Sequence, residues 1–302
     1  MLPLESVPNV SEGRDASVIA AIGKAFSASA RLLDVHADAD HHRSVFTLVG
    51  IDGDDALVES LVSGIARSRE LVDLRKHNGV HPRVGAADVV PLVPIRPEDM
   101  ERAQAAARSL GSRVAAELGL PVFLYGEVGG GRRPAFFRRG GPETLQTRVD
   151  SGELAPDFGP TQLDPSAGAV LVGARAPLVA FNVDLATDDV EIARAIAAVV
   201  RESSGGFPGV QALGLALAHS GRAQVSMNLL DASRSALHEV VERVVDEARQ
   251  RGVEVLRGEL VGLLPAAVAV AAAGKPLALP DLDASRILEL RLLPGARDTA
   301  QC

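Results

Sequence analysis

"RLLDVHADADHHRSVFTLVGI", residues 31–51, decides the fold. Residues 31–37 and 43–51 read as two strands, rich in Leu, Val and Ile, joined by the polar turn "DADHH" at 38–42. Outward from this pair, residues 14–28 ("RDASVIAAIGKAFSA") carry a helical pattern and residues 3–8 read as a short strand. On the other side, residues 54–70 ("DDALVESLVSGIARSRE") read as a helix with Asp54 as its cap, and residues 87–95 ("ADVVPLVPI") as a buried strand. The order is β-α-β-β-α-β, the split βαβ arrangement.

The second half repeats the order of elements without repeating residues. "PLVAFNVDL" (177–185) is a strand, and residues 187–203 a helix opening at a Thr cap. Residues 209–217 and 222–230 are a strand pair around "AHSG", residues 233–252 an amphipathic helix, and residues 253–264 a closing strand. The expected architecture is therefore α/β (α+β): two ferredoxin-like βαββαβ subdomains, residues 1–176 and 177–302, with a cleft between them as a small-molecule site. Residues 97–126 add a helix and the strand "PVFLYGE", while residues 128–169, dense in Gly, Pro and Arg, read as loop.

Composition narrows the function. The chain has 302 residues, 47% hydrophobic and 23% charged, which suits a globular protein with a substantial core. No Trp and one Tyr leave that core to aliphatic side chains. A net charge of −8 and a pI near 5.4 oppose binding to nucleic acid, although Arg132-Arg133 and Arg138-Arg139 offer local sites for a small anion. The single cysteine, Cys302, excludes an intrachain disulfide or a thiolate metal cage and fits a reducing cytoplasm. No signal peptide is expected from "MLPLESVPNVSEGRD", and the apolar run from Leu260 to Gly274 is too short, and broken by Pro265, to span a membrane.

Five of the seven histidines, His36, His41, His42, His77 and His81, fall in two short segments, the 38–42 turn region and "HNGVHPRVG" at 77–85. In a ferredoxin-like sheet these two segments need not touch. The turn has metal-like ingredients in His36, Asp38, Asp40, His41 and His42, but its spacing matches no strong ligand signature, and a solvated turn with Asp side chains on nearby amides explains it equally. In the second segment Pro82 restricts His81 to extended geometry, and Gly79 and Gly85 allow sharp turns. An imidazole held this way can exchange protons near neutral pH, with Arg83 and Arg43 offering forks for carboxylates; alternatively, the imidazoles bridge loop backbone. Gly129-Gly130-Gly131 lacks the Lys-Ser/Thr ending of a phosphate-binding loop.

With these residues the chain resembles the formiminotransferase family. The matching pieces run in order: "ESVPNVSEGRD" (5–15), "LLDVHADADHHRSVFTLVG" (32–50), "HNGVHPRVGAADVVPLVPI" (77–95), "PVFLYGE" (121–127), "APDFGP" (155–160), "GARAPLVAFNVDL" (173–185), "GVQALGLAL" (209–217), "AQVSMNLLD" (223–231) and "ELVGLLP" (259–265). The resemblance implies transfer of a formimino group from N-formiminoglutamate to tetrahydrofolate as co-substrate, a substrate tunnel, a homodimer, and the transferase standing alone without a cyclodeaminase part. It implies His81 as the catalytic residue. It also implies a folate-contacting loop of Gly159, Pro160, Thr161, Gln162, Leu163, Asp164, Pro165, Ser166, Ala167 and Gly168. Three positions depart from the animal members. An acid is expected where His36 stands, with Asp38 or Asp40 as substitutes; an aromatic is expected near Ala167, which weakens stacking on the pterin; and Ser6 replaces a Cys.

The implied chemistry needs one imidazole to take a proton from the attacking nitrogen and return it to the departing amine. Arg43 and Arg83 are the expected partners of substrate carboxylates, with Glu5, Asn9, Asp38 and His36 in polar contact. No metal is expected, because the amidinium is already electrophilic. Two rival readings stay open: formyl or another one-carbon transfer, and a metal-dependent hydrolase using the His36–His42 turn.

Overall fold

The computed structural model describes residues 2–272 together with Arg286 and Leu288. Cys302, and the Ala273 and Gly274 end of the apolar run, lie outside the described residues. The chain divides into two compact units, residues 1–176 and a second beginning at Pro177.

In the first unit the expected strand at 3–8 is only β1 (Leu4–Ser6), and a further short piece, β2 (Asn9–Val10), follows beyond it. Pro8, which has no N–H to give to a ladder, marks the break, and its carbonyl accepts Phe46 N at 2.9 Å. α1 (Ala16–Phe26) follows, capped by the Asp15 carboxylate on Ser17 N and Val18 N. Next come β3 (Arg31–Asp38), β4 (Arg43–Val49), α2 (Asp54–Leu71) and β5 (Ala87–Pro94). Asp54 is the first residue of its helix rather than the cap, which is Gly53 at φ 106°. β1 and β2 each pair with β4 on one side and β5 on the other, and β3 lies outside β4. Counting β1/β2 as one strand, the sheet reads second, third, first, fourth, which is the ferredoxin-like order.

The unit then grows by α3 (Met100–Leu118), β6 (Val122–Gly126), α4 (Pro134–Arg138), α5 (Gly141–Asp150) and β7 (Val170–Ala174). β7 pairs parallel with β5, and β6 parallel with β7. The reading of residues 128–169 as loop is thus corrected by two short helices. Their Gly and Pro sit at helix starts, and Phe137, Leu145 and Val149 pack on Phe123, Tyr125 and Leu171 of the sheet.

Alternation sorts the two faces of this sheet. Leu4, Val10, Phe46, Leu48, Val90 and Leu92 point to the face packed by α1, α2 and α3, whose stripes include Ile22 and Phe26, Leu57, Leu61 and Ile65, and Ala103, Ala107 and Leu110. The opposite face carries Glu5, Asn9 and Arg43 and, farther across the sheet, Val89, Phe123, Tyr125 and Leu171.

The second unit has β8 (Val179–Leu185), α6 (Val190–Val200), β9 (Val210–Leu217), β10 (Arg222–Leu229), α7 (Leu237–Gln250) and β11 (Val255–Val261), followed by α8 (Ala266–Ala272). Its sheet order, β11-β8-β10-β9, is again fourth, first, third, second, so the expected pair of βαββαβ folds is present. The cap of α6 is Asp189, not Thr187; the Thr187 hydroxyl instead accepts Asp189 N. Phe181, Val183, Val225 and Met227 face Ile196, Val240 and Val244 in a separate core.

Candidate active site

Sheet topology brings together the two histidine segments. β4 and β5 both run antiparallel to β1/β2, so they run parallel to each other with one strand between them, about 10 Å apart. β7 runs parallel to β5. The segments that lead into these strands, 39–42, 77–86 and 159–169, therefore meet at one edge of the sheet.

There the histidines form two stacked pairs. His41 lies against His81, with ring centroids 5.9 Å apart and 29° between planes, and His42 against His77 at 4.2 Å and 20°. His42 has φ 50°, the only positive value of a non-glycine among the described residues. Its carbonyl accepts His77 Nε2 at 2.7 Å, and its Nδ1 accepts Gly13 N at 3.1 Å. His77 Nδ1 in turn accepts Gly79 N at 3.1 Å. Both His77 nitrogens serve the backbone, and burial, partly offset by the His42 carbonyl, brings its pKa down to about 4. His77 is a loop brace. Gly79 and Gly85 are needed for close approach rather than for a turn: a Cβ at Gly79 would lie 2.3 Å from the His41 carbonyl, and one at Gly85 2.0 Å from the Ala169 carbonyl.

His81 is the half-buried imidazole of the edge. Its Nδ1 lies 2.8 Å from the Pro82 carbonyl and 3.2 Å from Arg43 Nη1. A carbonyl only accepts and a guanidinium only donates, so one neutral tautomer cannot satisfy both. The shorter contact fits Nδ1–H donating to Pro82 O, which leaves Nε2 as the basic nitrogen. Burial, then the Arg43 and Arg138 charges and His41, push its pKa well below the ordinary histidine value.

Arg43 opens β4 and is buried. Its Nε donates to Asn9 Oδ1 at 2.8 Å and its Nη1 to Asp88 Oδ2 at 2.9 Å. Asp88, fully buried, sits where the β2–β5 register skips a residue, between Asn9↔Val89 and Val10↔Ala87. Its Oδ2 also accepts Arg138 Nη2, and its Oδ1 accepts Val84 N at 2.8 Å. Burial alone would raise the Asp88 pKa, but Arg138, Arg43 and the Val84 amide outweigh it and hold the group below the usual carboxylate range. Burial and repulsion from Arg138 bring Arg43 down to about 10.

Pairing registers place Glu5, Asn9, His36, Asp38 and Arg43 on the same face of the sheet, away from α1–α3. Asp38 Oδ1 caps the turn by accepting His41 N at 2.7 Å. His36 pairs with Val45, beside Asn9. Arg83 is spent on the loop itself: Nη1 donates to Gly79 O and His81 O, and Nη2 to His77 O, at 2.9–3.0 Å. Its place as a carboxylate fork thus loses these donors to backbone carbonyls. Among the described residues no group of three His, Cys, Asp or Glu side chains could hold a metal ion.

The 159–168 loop ends against this edge. Gly168 bridges Gly85, Ala86 N donates to Ala167 O, and Leu74 N to Ser166 O. Asp164 Oδ1 ties the tip by accepting Ser166 N and Ala167 N, each at 2.9 Å. Gly159, Pro160, Thr161, Gln162 and Pro165 are exposed, whereas Leu163 and Ala167 are buried. Ala167 belongs to the helix-side core. Asp88 and the pairing of Arg138 with it were not read from the sequence; the one available signal was a lone acid inside an apolar strand.

Comparison with known proteins matches residues 3–175 to the N-terminal subdomain of the formiminotransferase domain and residues 180–276 to the formiminotransferase domain. The glutamate formimidoyltransferase of Streptococcus pyogenes serotype M1 is 39% identical, covering 96% of this chain and 98% of that protein. The glutamate formimidoyltransferase of Thermoplasma acidophilum is 38% identical, covering 97% and 98%. The formimidoyltransferase-cyclodeaminase of Rattus norvegicus is 41% identical over 87% of this chain and 50% of that protein.

Proposed function

The chain belongs to the formiminotransferase family, and from that premise we propose that it is a glutamate formimidoyltransferase: it moves the formimino group of N-formimino-L-glutamate to N5 of tetrahydrofolate, with His81 carrying the proton. The observation that carries this reading is the His81 imidazole, held by Pro82 O and beside Arg43, at the edge where the 159–168 loop ends.

N5 attacks the amidine carbon and a C–N bond forms. His81 Nε2 takes the N5 proton from the tetrahedral intermediate and returns it to the glutamate nitrogen. The old C–N bond then breaks and glutamate leaves. Burial and two guanidiniums keep His81 neutral at rest, ready as a base, and make its protonated form a ready acid toward the leaving amine. In this reading Arg43 supplies positive charge beside the imidazole, Asn9 aims it, and Glu5, His36 and Asp38 meet polar groups of the substrates on the same sheet face. The exposed part of the 159–168 loop receives the folate. The chemistry belongs to the first unit, and the working assembly is a homodimer in the cytoplasm.

Formation of 5,10-methenyltetrahydrofolate, followed by absorbance with added cyclodeaminase, tests this directly. The wild type should turn over formiminoglutamate. His81→Ala should lose about 10²–10⁴-fold in kcat while keeping folate binding, as for loss of a positioned acid–base group. An equally active His81→Ala removes the mechanism, and turnover of formylglutamate in place of formiminoglutamate changes the donor.

A further inference from the structure

We propose that Arg138, Tyr125 and Arg175 form a carboxylate-binding subsite beside the His81–Arg43–Asp88 array. The proposal rests on the functional reading above, in which both substrates carry glutamate carboxylates.

The first ground is charge. Arg43 and Arg138 share one carboxylate oxygen, Asp88 Oδ2, and Asp88 Oδ1 is taken by the Val84 amide. Two cations on one anion leave a positive charge over, in a place where Arg43 and Asp88 are buried and the Arg138 side chain is 14% exposed. Burial, and then repulsion from the Arg138 guanidinium, depresses Arg43. A buried surplus charge is costly unless an anion meets it.

The second ground is unsatisfied donors. Arg138 Nε is buried with no hydrogen-bond partner among the described residues, and Tyr125 Oη, also buried, forms no well-aligned hydrogen bond there although the Arg175 side chain lies within reach of it. Buried polar groups are nearly always paired, so an unpartnered guanidinium nitrogen and a poorly satisfied phenol near one surplus charge call for an explanation. Tyr125 is aimed by its neighbour. Gly173 lies directly beside it in the β6–β7 register, and a Cβ there would fall 2.5 Å from the phenol ring. The ring therefore lies over β7 on the side of Pro91 in β5, the strand that carries Asp88, the acid Arg138 meets. Arg175 follows the last residue of β7, and it and Arg138 act on the phenol against the upward pull of burial.

A carboxylate suits these donors: Arg presents a planar fork, and a tyrosine hydroxyl donates to an anionic oxygen. Its source is either the amino-acid half of the donor or the glutamate tail of the folate. The test is calorimetric titration of L-glutamate into wild type, Arg138→Gln and Tyr125→Phe, with KM for formiminoglutamate and for tetrahydrofolate measured on each. Tyr125→Phe removes a hydroxyl whose only neighbouring donor among the described residues is Arg175, so its urea midpoint, followed by circular dichroism because the variant has no tyrosine, should stay close to that of the wild type. Its affinity for glutamate should fall about 10-fold, and that of Arg138→Gln about 100-fold, as for losing hydrogen bonds to a charged group. A matching rise confined to KM for formiminoglutamate assigns the subsite to the donor. A rise confined to KM for tetrahydrofolate assigns it to the folate tail, and either supports the subsite. Unchanged Kd and both KM values in the two folded variants, with wild-type turnover intact, overturn it. A wild type that binds glutamate but moves no formimino group sinks the functional reading instead.

Discussion

Replacing Asp88 by Asn tests the electrostatic centre of the first unit. The side chain keeps its shape and keeps an oxygen for the Val84 amide. Its other atom becomes an NH2 that faces the donors Arg43 Nη1 and Arg138 Nη2, which both used Asp88 Oδ2. Two charge-assisted hydrogen bonds at about 1.5–3 kcal/mol each amount to about 3–6 kcal/mol. Removing one partner of a buried pair independently suggests about 3–5 kcal/mol, because the remaining charge stays buried without compensation. The chain supplies its own reporter: it has no Trp and a single Tyr, Tyr125, which lies in β6 of the same unit. Urea unfolding followed by tyrosine fluorescence should show the transition of this unit moving to lower urea by that free energy with its slope unchanged. Raising the salt concentration should restore little, since buried pairs are weakly screened. Coincident wild-type and Asp88→Asn transitions would refute the assignment of Asp88 as the anchor of both arginines.

The remaining predictions concern histidines and packing. The acid limb of kcat/KM should lie below the ordinary histidine range, because His81 takes up a proton only well under its usual pKa; a limb near 6.5 in the pH–rate profile contradicts this. His77, with a folded pKa of about 4, stays neutral in the native state while the unfolded chain protonates near 6.5. Its contribution to stability is therefore whole above 6.5 and is lost as pH falls from there toward 4; His77→Gln should flatten that part of the urea-midpoint curve, and an unaltered slope argues against it. Gly64→Ala should cost about 1–3 kcal/mol or more through overpacking. Its new Cβ would lie 1.9 Å from the Phe26 ring, and Phe26→Leu should restore part of the loss in a double-mutant cycle.

Local chemistry wrote much of this protein into its sequence. The strand-like runs in 31–51, the helical spacing of 54–70 and the apolar run at 87–95, with their counterparts between 177 and 264, depend on neighbours within a few residues and gave both βαββαβ orders, whereas the shared face of Glu5, Asn9, His36 and Arg43 came from strand register. Where Gly, Pro and Arg crowd together, as in 128–169, the same local signals hid α4 and α5, whose stability comes from Phe137, Leu145 and Val149 packing on a distant sheet. The site itself was settled only in three dimensions. Nothing local says that the turn before β4 and the loop before β5 meet; they do so because β1/β2 lies between those strands and makes them parallel. Nor does local sequence say which arginine stays with the loop carbonyls and which meets a buried acid. Arg83 is held by His77, Gly79 and His81 carbonyls, while Arg43 reaches across β2 to Asp88, a choice made by strand register and a one-residue bulge. Periodicity is a property of nearby residues, whereas a buried charge finds its partner only when sheet topology brings residues 43, 88 and 138 to one place.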